Sequence, residues 1–102
     1  MYTSCRIYTD AKDLCDLIIQ NRNEVETLLR GVPGFQAYYL IRTSDGVTTI
    51  TVCDDQPGVE ESNRRAADWV KTHAMGLKNT TPKIIAGETA IAFTAGKAAV
   101  SV

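Results

Sequence analysis

Hydrophobic and polar residues alternate along three stretches of this chain that are rich in β-branched and aromatic side chains. Alternation with a period of two is typical of strands with one buried face. The pattern predicts strands over residues 2–9, 35–43 and 47–54, and a last strand over residues 83–94. A tail of small residues, which begins at Ala95-Gly96 and ends at Val102, follows the last strand.

Two other stretches repeat their apolar residues every three or four positions, as amphipathic helices do. The first predicts one helix of about 20 residues, which follows a Thr9 or Asp10 cap and ends at Gly31. Its apolar stripe consists of Leu14, Ile18, Val25, Leu28, Leu29 and Val32. The second helix follows a turn at residues 54–58, and its apolar face consists of Ala66, Ala67, Trp69, Val70, His73, Ala74 and Leu77.

The dipeptide Asp45-Gly46 separates two of the predicted strands and is a strong signal for a two-residue β-hairpin turn. Such a turn places Ile41 opposite Ile50, so that apolar residues share one face of the hairpin. A slip of one residue would place Ile41 opposite Thr49 and mix the two faces. The sequence therefore predicts the two-residue turn.

The order of the predicted elements, β-α-β-β-α-β, is that of the ferredoxin-like α+β fold. It places two helices on one face of a four-stranded antiparallel sheet. We expect the most apolar strand face to meet the helices. That face consists of Cys5, Ile7, Ala37, Tyr39, Ile41, Ile50, Val52, Ile85, Ile91 and Phe93.

The opposite sheet face is predicted to be mixed, with Tyr38, Leu40, Ile84 and several alanines beside polar residues. Soluble monomers rarely leave so much apolar surface in water. Two such sheets packed face to face would cover it, so the sequence predicts a two-fold homodimer.

Composition narrows the class of protein. The chain has 102 residues, the size of one domain spanning residues 1–102, and its net charge of -1 disfavours a nucleic-acid partner. No apolar stretch is long enough to cross a membrane, and the start of the chain lacks a secretory signal pattern.

Three cysteines without CxxC spacing disfavour disulfides and zinc, and indicate buried thiols in a reducing cytoplasm. The alternative is one reactive thiol.

A family resemblance rests on two short motifs. The run Pro33-Gly34-Phe35 before the second strand, and the segment from Glu60-Glu61-Ser62 to Trp69, resemble the antibiotic-biosynthesis-monooxygenase-like group of dimeric α/β-barrel proteins. The element order matches over nearly the whole chain, and the closest likeness is to uncharacterised bacterial members. The resemblance implies a dimeric barrel with a cavity between the sheet and the helices of each subunit.

That group includes cofactor-independent quinone-forming oxygenases and haem-degrading oxygenases, which use Asn, Trp and, in the haem type, His. This chain has Asn63, Trp69 and His73, but their spacing does not match the group's pattern, so none is assigned a catalytic role. Trp69 is expected in the core or as a cavity wall, and His73 at the solvent edge or packed on its helix. The pair Asp54-Asp55 is better explained by capping and turn formation than by a metal.

Arg6, Arg42 and Glu88 are predicted to converge on the barrel-facing side of the sheet, with Tyr8 and Tyr38 as aromatic walls. One interpretation is a cavity that binds an anion or a phenol, with arginine as the fixed positive group. The other is an Arg–Glu pair that ties the dimer together. The ligand-cavity candidates are Arg6, Tyr8, Tyr38, Arg42, Trp69, His73 and Glu88.

Two functions remain open from the sequence. The first is a dimeric α/β-barrel protein that binds a small aromatic or lipophilic molecule, with cofactor-independent monooxygenase-like chemistry as its reaction. The second is a non-enzymatic dimeric stress-response or regulatory module. The sequence does not decide whether the chain is an enzyme. No cofactor or metal ion is predicted, because no nucleotide-binding or metal-binding motif is present.

Overall fold

The computed structural model describes residues 1–95, and its sheet is the predicted four-stranded antiparallel one. The strand order is β2-β3-β1-β4, as in the ferredoxin-like fold, so the predicted fold class is confirmed. The strands are β1 (Tyr2–Tyr8), β2 (Phe35–Arg42), β3 (Val47–Cys53) and β4 (Lys83–Glu88). The predicted tail from Gly96 to Val102 lies outside the described residues.

The predicted long first helix is wrong, because the structure divides it into α1 (Lys12–Gln20) and α2 (Arg22–Arg30). The break is at Asn21, whose side-chain amide donates to the Leu17 carbonyl at 2.8 Å. A side chain that competes for a backbone carbonyl in this way weakens the helical hydrogen-bond ladder. The predicted Thr9 or Asp10 cap is also wrong: α1 starts after Ala11 without a side-chain cap.

The second predicted helix is α3 (Gln56–His73). Its start agrees with the expectation for the Asp-rich turn, because the Asp55 carboxylate accepts a hydrogen bond from the Gly58 amide at 3.1 Å. Pro57 lies in the first turn, where its missing N–H costs nothing. Asp55 therefore caps α3, as the sequence predicts for this turn.

The hairpin between β2 and β3 has a longer turn than predicted. Arg42 pairs with Val47, and the Thr43 amide donates to the Gly46 carbonyl at 3.1 Å. Ile41 consequently faces Thr48, not Ile50. From Ala37 to Arg42 the pairing has shifted by two residues, which keeps these side chains on the same faces, while a bulge between Phe35 and Ala37 interrupts the alternation at the start of β2.

The predicted assignment of the two sheet faces is wrong, because the helices cover the more polar face. The face beneath them carries buried Ser4, Arg6, Tyr8, Val47, Thr49, Thr51 and Cys53. The apolar residues that were expected there point away from the helices, with Tyr39 57%, Ile85 54% and Ile41 43% exposed. The right-handed crossover fixes the side of the sheet on which helices lie, but it does not fix which alternate residues point to that side.

The last strand is shorter than predicted and ends at Glu88, which pairs with Tyr2. Tyr2 is the first residue of β1, and just beyond this pair the Thr89 amide still donates to the Met1 carbonyl at 2.9 Å. Residues 90–95 leave the sheet without regular structure. Ile91 and Phe93, expected in the core, are 78% and 79% exposed.

The core lies between the sheet and the three helices. It unites apolar side chains from every helix with two from the sheet, Tyr8 and Val47. Its largest fully buried side chain is Leu14 of α1. No helix within residues 1–95 is long and apolar enough to cross a membrane.

Gly46 provides a test of how closely the hairpin turn packs against the end of β1. A Cβ atom at this position would lie 2.1 Å from the Tyr8 carbonyl oxygen, so Gly46→Ala forces the backbone apart. We expect a loss of about 1–3 kcal/mol in the free energy of unfolding, measured by urea denaturation. Gly76→Ala is the matched control, because no atom lies within 4 Å of the place where the alanine Cβ would be. Equal stability of the two variants would contradict the packing described.

Candidate functional site

An arginine is buried between the sheet and α3. Arg6, on the central strand β1, is only 4% exposed. Its Nη1 atom donates to Asn63 Oδ1 of α3 at 2.8 Å, and the Ser4 hydroxyl donates to the same oxygen at 3.1 Å. Two residues of one strand therefore converge on a single amide oxygen of the helix above them.

The Arg6 charge lacks an anionic partner within the described part of the chain, where every ion pair involves other residues. Three buried polar atoms in this layer also make no hydrogen bond: Arg6 Nε, Thr49 Oγ1 and Thr51 Oγ1. Thr49 is the direct cross-strand neighbour of Arg6. A buried cation without a carboxylate, and hydroxyls without partners, are costly unless something else satisfies them. The cluster therefore suits an anionic or polar oxygen supplied from outside the chain.

A small cavity of about 20 Å³ lies beside this arginine. It has room for roughly one water molecule. Its walls are mostly apolar and aromatic, and include Arg6, Tyr8, Thr49, Tyr38 and Trp69. The cavity holds the polar head of a ligand at most, so the body of any larger ligand has to lie elsewhere.

A groove of about 580 Å³ lies next to the cavity, between β2 and the helices α1 and α2. Its floor is apolar, and Arg22, Glu26 and Arg30 line it as well. The groove and the cavity share four lining residues: Ile18, Val25, Leu29 and Tyr38. A ligand with its body in the groove is therefore separated from Arg6 by one layer of side chains.

Tyr38 separates the groove from the cavity. Burial raises the pKa of its phenol to about 12, although the nearby Arg6 charge acts in the opposite direction. The hydroxyl thus stays protonated at neutral pH and can donate a hydrogen bond to a ligand oxygen. Tyr8, 3% exposed, forms another wall of the cavity.

Trp69 and His73 form a separate cluster with Glu24 at the outer side of the cavity. The Trp69 indole N–H donates to Glu24 Oε1 at 3.0 Å, and His73 Nε2 lies 2.8 Å from the same oxygen. His73 Nδ1 contacts the Trp69 carbonyl at 2.9 Å, and the two rings stack at 4.3 Å. Both imidazole nitrogens are occupied in this arrangement, which fastens α2 to α3 and leaves neither nitrogen directed at a ligand.

The structure does not bring Arg6, Arg42 and Glu88 together. Arg42 is exposed and pairs with Asp16 at 2.9 Å. It belongs to β2, at the opposite edge of the sheet from Glu88 in β4. Glu88 faces Tyr2, four positions along β1 from Arg6, a separation of about 13 Å. Of the predicted site residues, Arg6, Tyr8, Tyr38 and Trp69 share one cavity.

Sequence reasoning missed the polar residues that surround Arg6 under the helices, namely Ser4, Thr49, Thr51 and Asn63. Alternation in β1 and β3 does place Ser4, Thr49 and Thr51 on the same face of the sheet as Arg6. The signal was overlooked because threonine and serine also suit a solvent-facing strand surface. Asn63 stood out only through its likeness to a family residue, not through a contact.

The thiols and possible metal ligands add no chemistry to this site. Burial raises the pKa of both Cys15 and Cys53, so these thiols remain protonated and unreactive. Over residues 1–95, no three His, Cys, Asp or Glu side chains are grouped so that they could hold a metal ion.

The raised pKa of Tyr38 predicts a pH dependence of stability. The phenol ionises at about 12 in the folded protein but near its ordinary value of 10.0 when unfolded, so the unfolded state loses its proton first as pH rises. Stability from this group is fully present below pH 10 and falls between pH 10 and 12, by about 2–3 kcal/mol in total. Urea denaturation across this range should show a shallower fall for Tyr38→Phe. Parallel curves for the two proteins would contradict the burial of the hydroxyl.

Comparison with known proteins finds similar structures but no close relative in sequence. No family model and no curated protein matches the chain. A monooxygenase of Streptomyces coelicolor, from the gene ActVA-Orf6 and solved with Nanaomycin D, has a similar structure, with a TM-score of 0.65, 16% identity and 93% and 91% of the two chains covered. SnoaB, a cofactor-independent oxygenase from Streptomyces nogalater, is also similar, with a TM-score of 0.50 and 15% identity. The match covers 94% of this chain and 95% of SnoaB.

A dimeric ferredoxin-like protein from an uncultured marine organism is also similar, with a TM-score of 0.59, 13% identity and 91% and 96% of the two chains covered. These identities are low, so the likeness concerns the fold. The chain therefore shares the ferredoxin-like fold of these proteins.

Proposed function

We propose that this chain is one half of a homodimer that binds a small aromatic molecule through an ionised oxygen and oxygenates it without a tightly bound cofactor. The observation that carries the proposal is the buried Arg6 guanidinium, which has no anionic partner within residues 1–95. Its Nε, which makes no hydrogen bond, and the Thr49 hydroxyl at the cavity wall can both bond to a ligand oxygen.

The surroundings of Arg6 favour an aromatic ligand over an inorganic anion. Tyr8, Tyr38 and Trp69 supply aromatic walls, and the adjoining groove has an apolar floor. Sites for small organic molecules combine mostly apolar walls with a few polar groups in this way. A phenol or quinol fits both features, because its ring is apolar and its oxygen ionises.

The same arrangement supports oxygenation without a cofactor. A guanidinium stabilises the ionised form of a bound phenol, and an ionised ring oxygen makes the ring electron-rich, as direct reaction with O₂ requires. Conversion of the phenol to a quinone then removes the phenolic hydrogen and the hydrogen of the ring carbon opposite it, consumes one O₂, places one oxygen atom on that carbon as C=O and releases the other in water. The two similar oxygenase structures support this reaction class.

The homodimer is proposed from the sheet face that the helices leave open. Tyr39, Ile41 and Ile85 are exposed on it, beside Ile7 and Ile50. An apolar sheet face of this kind is stable when a second sheet covers it. The similar dimeric ferredoxin-like protein supports this assembly. We place the protein in a bacterial cytoplasm, in keeping with the buried thiols of Cys15 and Cys53 and the bacterial origin of both similar oxygenases.

Arg6→Met tests the site because it removes the charge and keeps much of the length. Loss of a buried charged partner costs about 2–5 kcal/mol of binding, so we expect the Kd for a panel of phenols and quinols to rise by about 30-fold or more. Stability without ligand should stay equal or increase, because an unpaired charge has been removed. Isothermal titration and thermal unfolding measure the two effects, and oxygen uptake reports turnover.

Arg42→Ala is the control, because Arg42 lies on the surface in an ion pair with Asp16. It should leave binding and oxygen uptake unchanged. An unchanged Kd for Arg6→Met would contradict the proposed site. Tight binding through Arg6 without oxygen uptake for any member of the panel would instead favour the non-enzymatic module.

Tyr39→Glu tests the dimer. The two-fold axis places this carboxylate twice in an apolar interface, where an unpaired charge is strongly unfavourable. We expect the mass in sedimentation to fall from two chains to one, with the far-ultraviolet circular dichroism unchanged. Met75→Glu, at an exposed position after α3, should remain a dimer. A wild-type mass of one chain would refute the proposed assembly.

A further inference from the structure

The wall of the cavity beside Arg6 brings hydrogen-bond donors and one positive charge together. Apart from Trp69, its polar wall residues are Arg6, Tyr8, Tyr38 and Thr49. A guanidinium only donates hydrogen bonds, and each hydroxyl carries a proton that it can donate. No Asp or Glu side chain lines the cavity. The wall therefore suits an occupant that accepts hydrogen bonds and carries a negative charge.

The acids of the chain do not cancel the charge of Arg6. Asn63 Oδ1 accepts from Arg6 Nη1 at 2.8 Å, but an amide oxygen carries no net charge. Glu24 reaches the cavity only through Trp69, whose indole N–H it accepts at 3.0 Å. Residues 96–102, which lie outside the described range, contain no Asp or Glu. An ion from solution would neutralise the buried guanidinium at less cost than leaving it uncompensated.

Two donors at the cavity wall make no hydrogen bond within residues 1–95, namely Arg6 Nε and Thr49 Oγ1. Thr49 is 1% exposed and lies directly opposite Arg6 in the pairing of β1 with β3. Tyr38, on β2, adds a phenol that burial keeps protonated, with a pKa of about 12. The three donors come from three adjacent strands, so the hydrogen bonds of the sheet hold them in place before any ion binds.

The size of the cavity selects a single atom. Its volume of about 20 Å³ is the room of roughly one water molecule. A chloride ion is only slightly larger than a water molecule and accepts hydrogen bonds from several directions. Carboxylates and phosphates consist of several heavy atoms and are too large for this space. Water fits but carries no charge, so a halide matches both the volume and the electrostatics.

We propose that a chloride ion occupies this cavity when no organic ligand is bound, held by Arg6 Nε and the Thr49 hydroxyl, and that the ligand displaces it. Binding of the ion follows from the cavity alone. Displacement rests on the proposed function, in which the ionised oxygen of the ligand binds the same guanidinium. Chloride is then a competitive inhibitor of ligand binding.

Thermal unfolding in exchanged salts tests the site. Sodium gluconate, whose anion is far larger than the cavity, is replaced stepwise by sodium chloride at constant ionic strength. We expect the Tm to rise along a saturating curve, by roughly 5–10 °C at about ten times the Kd of chloride. Acetate in place of chloride should give no such curve, because it does not fit. An equal Tm in chloride, acetate and gluconate would overturn the proposal.

Two variants assign the effect to the cavity. Arg6→Met should abolish the rise in Tm with chloride. Thr49→Val keeps the volume of the side chain and removes the hydroxyl, so chloride should bind about tenfold or more weakly. Arg42→Ala is the control, because Arg42 is exposed and pairs with Asp16, and it should keep the full rise.

Either variant can refute the site. A rise of wild-type size in folded Arg6→Met would overturn the proposal. Should Arg6→Met fail to fold, Thr49→Val still decides, because an unchanged chloride affinity in that variant would also overturn it.

Bromide locates the ion directly, because it replaces chloride and scatters X-rays anomalously. In crystals grown in bromide we expect an anomalous peak within hydrogen-bond distance of Arg6 Nε and Thr49 Oγ1. Peaks confined to the protein surface would mean an adventitious ion only and would overturn the proposal.

Competition distinguishes this inference from the proposed function. In chloride, the Kd of a phenol should rise by one plus the ratio of the chloride concentration to its own Kd. Phenol binding that requires Arg6, with no effect of chloride on Tm or on the phenol Kd, would overturn the chloride site and leave the proposed function standing. A chloride effect that is lost in Arg6→Met, in a protein that binds no phenol, would support the chloride site and count against the proposed function.

Discussion

A guanidinium buried without a carboxylate is the constraint around which the interior of this protein is arranged. Arg6 lies on a central strand, where no movement of a surface loop could return its charge to water. Asn63 on α3 supplies one acceptor, which links the sheet to the helix that covers it. The remaining donor and two threonine hydroxyls stay unsatisfied. Folding alone has no use for such an arrangement, because an apolar side chain would pack there at less cost.

The position of the charge also determines where a ligand has to lie. The cavity beside Arg6 is small, and the large groove is separated from it by a layer that includes Tyr38. A molecule that spans both would place its oxygen at the arginine and its ring in the groove. The Glu24 cluster fastens α2 over this layer, so the outer wall is held by hydrogen bonds to a carboxylate and not by deep packing.

The second constraint is a sheet that carries apolar side chains on both of its faces. The helices cover the face with the functional polar groups, and the more apolar face is left open. Apolar strand residues remain exposed on the open face, so they still favour a partner sheet, although the sequence analysis expected that partner on the opposite face. Ile91 and Phe93 are likewise exposed, because β4 ends at Glu88, opposite the first residue of β1.

Local sequence patterns determined the existence, type and order of the strands, since side-chain alternation and turn residues act over a few positions. Local patterns also determined which residues of a strand share a face. A hairpin shifted by two residues therefore kept Tyr39, Ile41 and Ile50 together on one face, as predicted. The pattern could not determine the break at Asn21, where one side-chain hydrogen bond competes with the helix ladder. The candidate site was predicted in part: Arg6, Tyr8, Tyr38 and Trp69 share a cavity, while Arg42 and Glu88 lie at opposite edges of the sheet.

Tertiary structure alone decided which face the helices cover, and with it whether Arg6 lies in an interface or in the interior. Alternation shows which residues of a strand share a face. It does not show which face is buried when both faces carry apolar residues. That choice depends on how α3 crosses the sheet and on the acceptor that Asn63 presents at its contact with β1. The proposed anion site depends on this choice, because a guanidinium in water binds anions weakly, whereas one buried beneath a helix would bind them strongly.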